Sequence, residues 1–443
     1  MGLRTARSKL LLFAGLLLAS SAGGLAAQFD RDLTAFVIVA LVQGAVWAAA
    51  AAFVLCGRDQ RPALALILGT AVLLRLIALA APVFLSDDLN RYIWDGRVQA
   101  AGINPYRYVP TDPELEPLRD PLIFPNINRN NYAPTIYPPV AQMLFLAATR
   151  FAETALAVKL VFVTIEAIGI GTLLFILRTT GRPPEHILLY AWHPLPVWEI
   201  AGSGHVDAAV VTFTALALAA AVSGRRVGSA VALAAATMVK FLPLVLAPAL
   251  WRPAKSNFGD WRWAAAFIAV IVAAYLPYIG IGSRAFGFLP GYIAEENFGS
   301  GAGFWLLGMA RRAIPIPLAA YLGLAGSVVA GLAIGALRRG PDQRTGLNGA
   351  MALGTAALFF ASPHYPWYFV WLVALLTAAP WWPAWWLTLA AVLLYWDQKT
   401  GNIPSWVGFT LYGGFVIFCA VDTIWRTISN KRSGARRAID CAT

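Results

Sequence analysis

Two adjacent carboxylates, Asp87 and Asp88, open the stretch Ser86-Asp87-Asp88-Leu89-Asn90-Arg91-Tyr92-Ile93-Trp94-Asp95-Gly96-Arg97. Such a pair suits general-base chemistry, in which one carboxylate takes a proton from a hydroxyl while the other raises its pKa or orients it. The same pair suits the N-cap of a helix, and the two roles are compatible. On a helix, Asp88, Arg91, Tyr92 and Asp95 share one face through spacings of three and four residues. That face suits a sugar or a phosphate.

A second group runs Ala191-Trp192-His193-Pro194-Leu195 through Glu199 to Gly202-Ser203-Gly204-His205-Val206-Asp207. His205 beside Asp207 reads either as a helix-capping pair or as a site that moves protons, binds a metal or holds sugar hydroxyls. Glu199 favours function, because ionisable groups near apolar segments are costly to bury. A third group, Ala361-Ser362-Pro363-His364-Tyr365-Pro366-Trp367-Tyr368, sets a histidine among rings that equally fit an interfacial aromatic belt. No HxxH or HExxH spacing joins His186, His193, His205 and His364, so no metal site is assigned. Lys240 and the arginines of the outer loops are candidate phosphate partners, against the alternative that Lys240 snorkels to water. Glu295 and Glu296 read as loop solvation, and Lys159 and Glu166 as structural groups that pair with each other or with neighbouring helices.

Membrane helices must position these groups. The chain of 443 residues is 59% hydrophobic and 13% charged, whereas soluble proteins carry about 25% charged residues. A hydrocarbon layer of roughly 30 Å takes about 20 apolar helical residues. Spans are expected at about 10–27, 34–55, 62–84, 153–178, 185–200, 205–223, 262–281, 316–338, 346–362, 365–379, 381–396 and 405–427. The first is read as an uncleaved span despite its signal-like n-region and h-region. Residues 227–250 are expected to form a hairpin with Lys240-Phe241-Leu242-Pro243 at its tip, and Tyr137 to Phe151 a short or re-entrant helix. The fold class is therefore all-α and polytopic, with about 12 to 14 transmembrane or re-entrant helices in one membrane domain over residues 1–443.

Counted along these spans, nineteen Lys and Arg fall on one side, among them Arg58, Arg61, Arg252, Lys255 and Arg339. Ten fall on the other, among them Arg129 and Lys399. The bias puts both termini in the cytoplasm and the long loop 86–136 outside. It also explains the net charge of +12 without nucleic acid. Cys56, Cys419 and Cys441 have no metal-like spacing.

Taken together, Ser86 to Gly96 with Gly102-Ile103-Asn104-Pro105-Tyr106, Trp192 to Asp207, Lys240 to Pro243 and His364 to Trp371 resemble the GT-C class of membrane glycosyltransferases. The resemblance is to bacterial polyprenyl-phosphate-mannose-dependent mannosyltransferases and glycosyltransferase family eighty-seven. It implies a bacterial inner-membrane hexosyltransferase that moves a sugar, mannose foremost, from a polyprenyl-phosphate donor to a lipid-linked or cell-envelope glycan. The transfer would be inverting, on the outer face and without a cofactor. It matches Asp88 to the catalytic base, with Asp87 beside it. Substrate contacts would come from Arg91, Tyr92, Asp95, Asn104, Tyr106, His205, Asp207, Lys240 and His364. Relatives often carry Asn where this chain has His193 and Val206, and place the acidic loop after the first span rather than the third. From the residues alone, a transporter or flippase of a lipid-linked sugar is the rival reading. The topology has its own test: a cysteine placed beside Asn104 should react with an impermeant reagent in intact cells, and protection would put that loop inside.

Overall fold

The computed structural model describes residues 2–56, 64–251, 261–338, 343–397 and 404–440. Arg58, Arg61, Arg252, Lys255, Arg339, Lys399 and Cys441 lie outside the described residues. The described chain is all-α, and long Ala, Leu and Val runs without breakers supply its helices. In order these are α1 (Gly2–Phe29), α2 (Leu33–Cys56), α3 (Leu64–Leu79), α4 (Asp88–Ala100), α5 (Pro139–Thr149), α6 (Ala155–Thr179), α7 (Asp207–Val222) and α8 (Arg226–Thr237). Then follow α9 (Trp261–Tyr275), α10 (Leu289–Glu295), α11 (Leu318–Arg338), α12 (Gln343–Ala361), α13 (Val370–Ala378), α14 (Trp382–Ala390) and α15 (Gly414–Asp440). Among the described residues, six helices are long and apolar enough to cross a membrane, and six shorter apolar helices accompany them. The protein is a polytopic membrane protein.

Proline shapes the irregular parts. Between α6 and α7 the chain advances in short turns, Pro184–Ile187, Leu188–Ala191, Pro194–Pro196 and the wide turn Val197–Gly202. Prolines 194 and 196 lack the N–H that a continuous helix needs. At α8 a 12-residue helix rises only about 18 Å, too short to cross. The chain then returns through Leu242–Leu246 and Ala247–Leu250, with Lys240 in the turn. α5 is also short, at 11 residues. Its free N-terminal amides of Val140 and Ala141 donate to Met238 O at 3.0 and 3.3 Å, which docks α5 beside the Lys240 turn.

Deep in the bundle, Arg75 of α3 meets Glu166 of α6 through two bonds of 2.7 and 2.8 Å. Tyr190 donates to the same carboxylate at 3.0 Å, and Arg75 donates onward to Ala191 O at 2.8 Å. Lys159 is likewise buried, with its ammonium 2.6 Å from Ala81 O. Glu166 and Lys159 therefore serve neighbouring segments rather than each other.

The segment between α4 and α5 is ordered by a small core of its own, Trp94, Val98, Leu115 and Ile127. Arg97 fastens it, donating to Leu118 O at 2.9 Å and to Glu153 at 2.8 Å while pairing with Asp120. Asp120 in turn accepts from the amides of Leu122 and Ile123, both at 2.8 Å. α4 lies against α5 at Gly96, where a Cβ would stand 2.5 Å from Thr149 Oγ1 and 2.6 Å from Phe145 O. Only glycine allows that approach. Removing the Arg97 hydrogen bonds in Arg97→Ala should speed protease cleavage within residues 110–131 roughly 10-fold, with the rest of the bundle intact. Unchanged cleavage would show that the small core suffices.

Candidate active site

Asp87 takes the N-cap position of α4 but makes no side-chain capping bond. The amide of Asp88 is served by Ser86 Oγ at 3.3 Å instead. Both carboxylates turn to Asn128, whose Nδ2 donates to Asp87 Oδ1 at 2.9 Å and to Asp88 Oδ1 at 3.0 Å. Asp87 is exposed to solvent. Burial by the surrounding protein, followed by the charge of Asp88, pushes its carboxyl above the ordinary range, while the Asn128 hydrogen bond opposes this.

On the inner side stand Tyr92 and Tyr137, their rings edge to face at 5.1 Å, within electrostatic reach of Asp88. Tyr92 also feels Asp207. Asp207, the first residue of α7, follows a turn in which Gly204 adopts φ +75°. It takes Lys240 Nζ at 2.6 Å on Oδ2, while its buried Oδ1 has no partner among the described residues. Lys240 sits 4.9 Å from the centroid of the Tyr368 ring, and Tyr368 shares a hydroxyl contact of 2.8 Å with Tyr292. Tyr368 feels both Asp207 and Asp88. Burial, then Tyr368 and Glu296, push the Tyr292 hydroxyl up, so it keeps its proton.

His205 is buried, with Nδ1 3.0 Å from Glu199 Oε2 and its ring 4.5 Å from Trp367. Its Nε2 has no hydrogen-bond partner among the described residues. Glu199 is held from the other side by Tyr395, whose hydroxyl lies 2.8 and 2.9 Å from its two oxygens. Trp367 stacks on Tyr365 at 4.6 Å. His364 bridges Glu296 at 2.9 Å and Gly303 O at 3.1 Å. Arg129 donates to Glu295 at 2.7 Å. These ties fold the α10 segment over the carboxylates.

The structure thus gathers Asp87, Asp88, Tyr92, His205, Asp207, Lys240 and His364 around one region. It places Arg91, Asp95, Asn104 and Tyr106 in supporting contacts. Arg91 pairs with Asp95 at 2.9 Å and donates to Ala133 O at 3.1 Å. Gln142 bridges Asp95 and Thr135 at 2.9 and 2.7 Å. Asn104 accepts from Tyr106 N at 3.1 Å, and Tyr106 donates to Tyr137 O at 2.7 Å. These bonds hold the strip from Ala133 to Tyr137 that carries Tyr137 to Asp88. Tyr137, Asn128, Tyr292 and Tyr395 join the site although the spacing of chemical residues does not mark them. Among the described residues, no three His, Cys, Asp or Glu side chains converge as a metal site requires.

Carboxylates and a cation gathered beside aromatic rings suit transfer of a group onto a hydroxyl with departure of an anionic leaving group. Lys240→Met would leave Asp207 buried and unpaired, at a cost of about 3–5 kcal/mol, read as a lower unfolding temperature. Adding Asp207→Asn should restore most of the loss. No recovery in the double variant would mean that Lys240 stabilises through its packing alone.

The sequence model of the MptA_B family, described as alpha-(1->6)-mannopyranosyltransferase, N-terminal domain, matches residues 12–253. That is more than half of the chain and includes the segments carrying Asp87, Asp88, His205, Asp207 and Lys240. Comparison with curated proteins and with solved structures gives no match.

Proposed function

This chain belongs to the alpha-(1->6)-mannopyranosyltransferase family, and from that premise we propose how it works as a membrane mannosyltransferase. The donor is a mannosyl polyprenyl phosphate that reaches the site from the bilayer. The acceptor is a lipid-linked or cell-envelope glycan. Transfer occurs on the outer face of a bacterial inner membrane, where loop 86–136 lies, with both termini cytoplasmic and residues 1–443 acting as one membrane domain.

Asp88 takes the proton of the acceptor hydroxyl as that oxygen attacks the anomeric carbon. The bond to the lipid phosphate breaks, and configuration inverts. Asp87 stands beside Asp88, and Asn128 donates to both. Lys240, held by Asp207, meets the developing phosphate charge. His205, Asp207 and His364 hold sugar hydroxyls, while Arg91, Tyr92, Asp95, Asn104 and Tyr106 shape the floor and its rim. The lipid phosphate is itself the leaving group, so no nucleotide is needed.

The observation that carries this reading is Tyr368. One ring lies against Lys240 at 4.9 Å and within electrostatic reach of Asp88, which supports base and cation acting on one substrate. The buried, unpartnered Oδ1 of Asp207 and Nε2 of His205 supply acceptors of the kind a sugar requires. With purified protein in nanodiscs, Asp88→Asn should lower transfer from mannosyl polyprenyl phosphate by roughly 10²–10⁴-fold at normal expression. Full activity in that variant would remove Asp88 as the base, and retention at the anomeric centre would remove the single displacement.

A further inference from the structure

Asn128 stands in the middle of the run Asn126-Ile127-Asn128-Arg129-Asn130-Asn131, a composition that ordinarily means only a polar turn. Four contacts fix where it goes. Ile127 is buried in the small core against Trp94, and Asn90 Nδ2 donates to Asn126 O at 3.2 Å. Arg129, with φ +53°, is tied to Glu295 at 2.7 Å, and Ala133 N closes back on Arg129 O at 3.1 Å. The amide is therefore delivered over the first turn of α4. Ionised carboxylates only accept hydrogen bonds, so the nitrogen of the amide must face them. One NH₂ group then serves one oxygen of each acid.

We propose that Asn128 is a positioning residue that clamps Asp87 and Asp88 together in their ionised form. Two like charges this close repel and favour proton uptake. A shared donor opposes that uptake and also stops the carboxylates from rotating apart. The clamp deepens the base assignment above, and its effect on turnover rests on that reading.

Other charges and hydroxyls around the pair come from several elements. Arg129 lies in the same loop, Tyr92 on α4 and Tyr137 before α5. Tyr365, Tyr368 and Tyr395 face it from the C-terminal third. Asp207 with Lys240, and Glu296 with His364, are already paired with each other, as is Glu295 with Arg129. Among the described residues, Asn128 is the neutral donor bonded to both carboxylates.

The test uses the full chain in nanodiscs. A ¹³C-carboxyl titration, with the Asp87 signal assigned by its loss in Asp87→Asn, needs no turnover. Asn128→Ala should raise the Asp87 midpoint by roughly half a unit to one unit. Asn128→Asp, which replaces the donor by a third acid, should raise it further. In parallel the acidic limb of the pH–rate profile should move to higher pH in the same order. On the acidic limb kcat should fall roughly 3- to 10-fold in Asn128→Ala, as the half-unit to one-unit shift dictates, with the loss shrinking as pH rises. An unchanged Asp87 midpoint in both variants would overturn the clamp, as would an activity loss equal at every pH. If Asp88→Asn were fully active while the midpoint still shifted, the base assignment would fail and the clamp would stand.

Discussion

A charge carried into a bundle with lipid around it must find an opposite charge or a polar partner, and Arg75 with Glu166 meets that demand deep among the described helices. An unpaired ion there would cost several kcal/mol, so α3 and α6 have little freedom to slide past each other. Arg75 and Tyr190 extend the constraint to the turn Leu188–Ala191. The chain leaving α3 reaches Asp88 within ten residues. The chain leaving that turn reaches Glu199, His205 and Asp207. One buried ion pair thus sets the register between the two stretches of sequence that meet at the site.

The acidic end needs a second level of order, because residues 101–138 contain only short turns. Backbone without regular structure must have its polar groups met one by one. Arginine does much of this work, since its fork reaches several carbonyl and carboxylate oxygens at once. Arg91 reaches Ala133 O and Asp95, Arg97 reaches Leu118 O, Asp120 and Glu153, and Arg119 reaches Asp112 O at 2.7 Å. Arginines in a loop beside the candidate site invite a reading as anion ligands. Here they are largely spent on holding the loop in shape.

Hydropathy made the long helices legible, although the span expected at 185–200 is broken into short turns by its prolines, and the short lengths of the Lys240 hairpin and of the segment after Tyr137 could be read from flanking charge and proline. Types of residue made Asp88, His205, Asp207 and Lys240 legible as chemical candidates. What periodicity could not convey was direction. Asp88, Arg91, Tyr92 and Asp95 share a helical face by spacing, yet Arg91 and Asp95 turn inward to each other while Asp88 turns to Asn128. Asp87 fits a cap by type and position, yet its side chain makes no cap. Asn128, Tyr292 and Tyr395 were hidden because an Asn in a polar turn and a Tyr at a helix end have ordinary reasons to be there. Only contacts spanning 40 to 196 positions of sequence give them another.

The short helices have a consequence for the bilayer itself. α5 and α8 rise about 16 and 18 Å, well under a hydrocarbon thickness of roughly 30 Å, and both present apolar side chains outward, including Met143, Val227 and Val231. Lipid beside them cannot keep its full depth without leaving helix ends and the Lys240 turn stranded in hydrocarbon. Local thinning of the bilayer, snorkelling of flanking side chains and self-association are the responses open to such a mismatch. Acyl-chain length of the surrounding lipid then becomes a variable of this protein's environment, as much a part of its working conditions as temperature or salt.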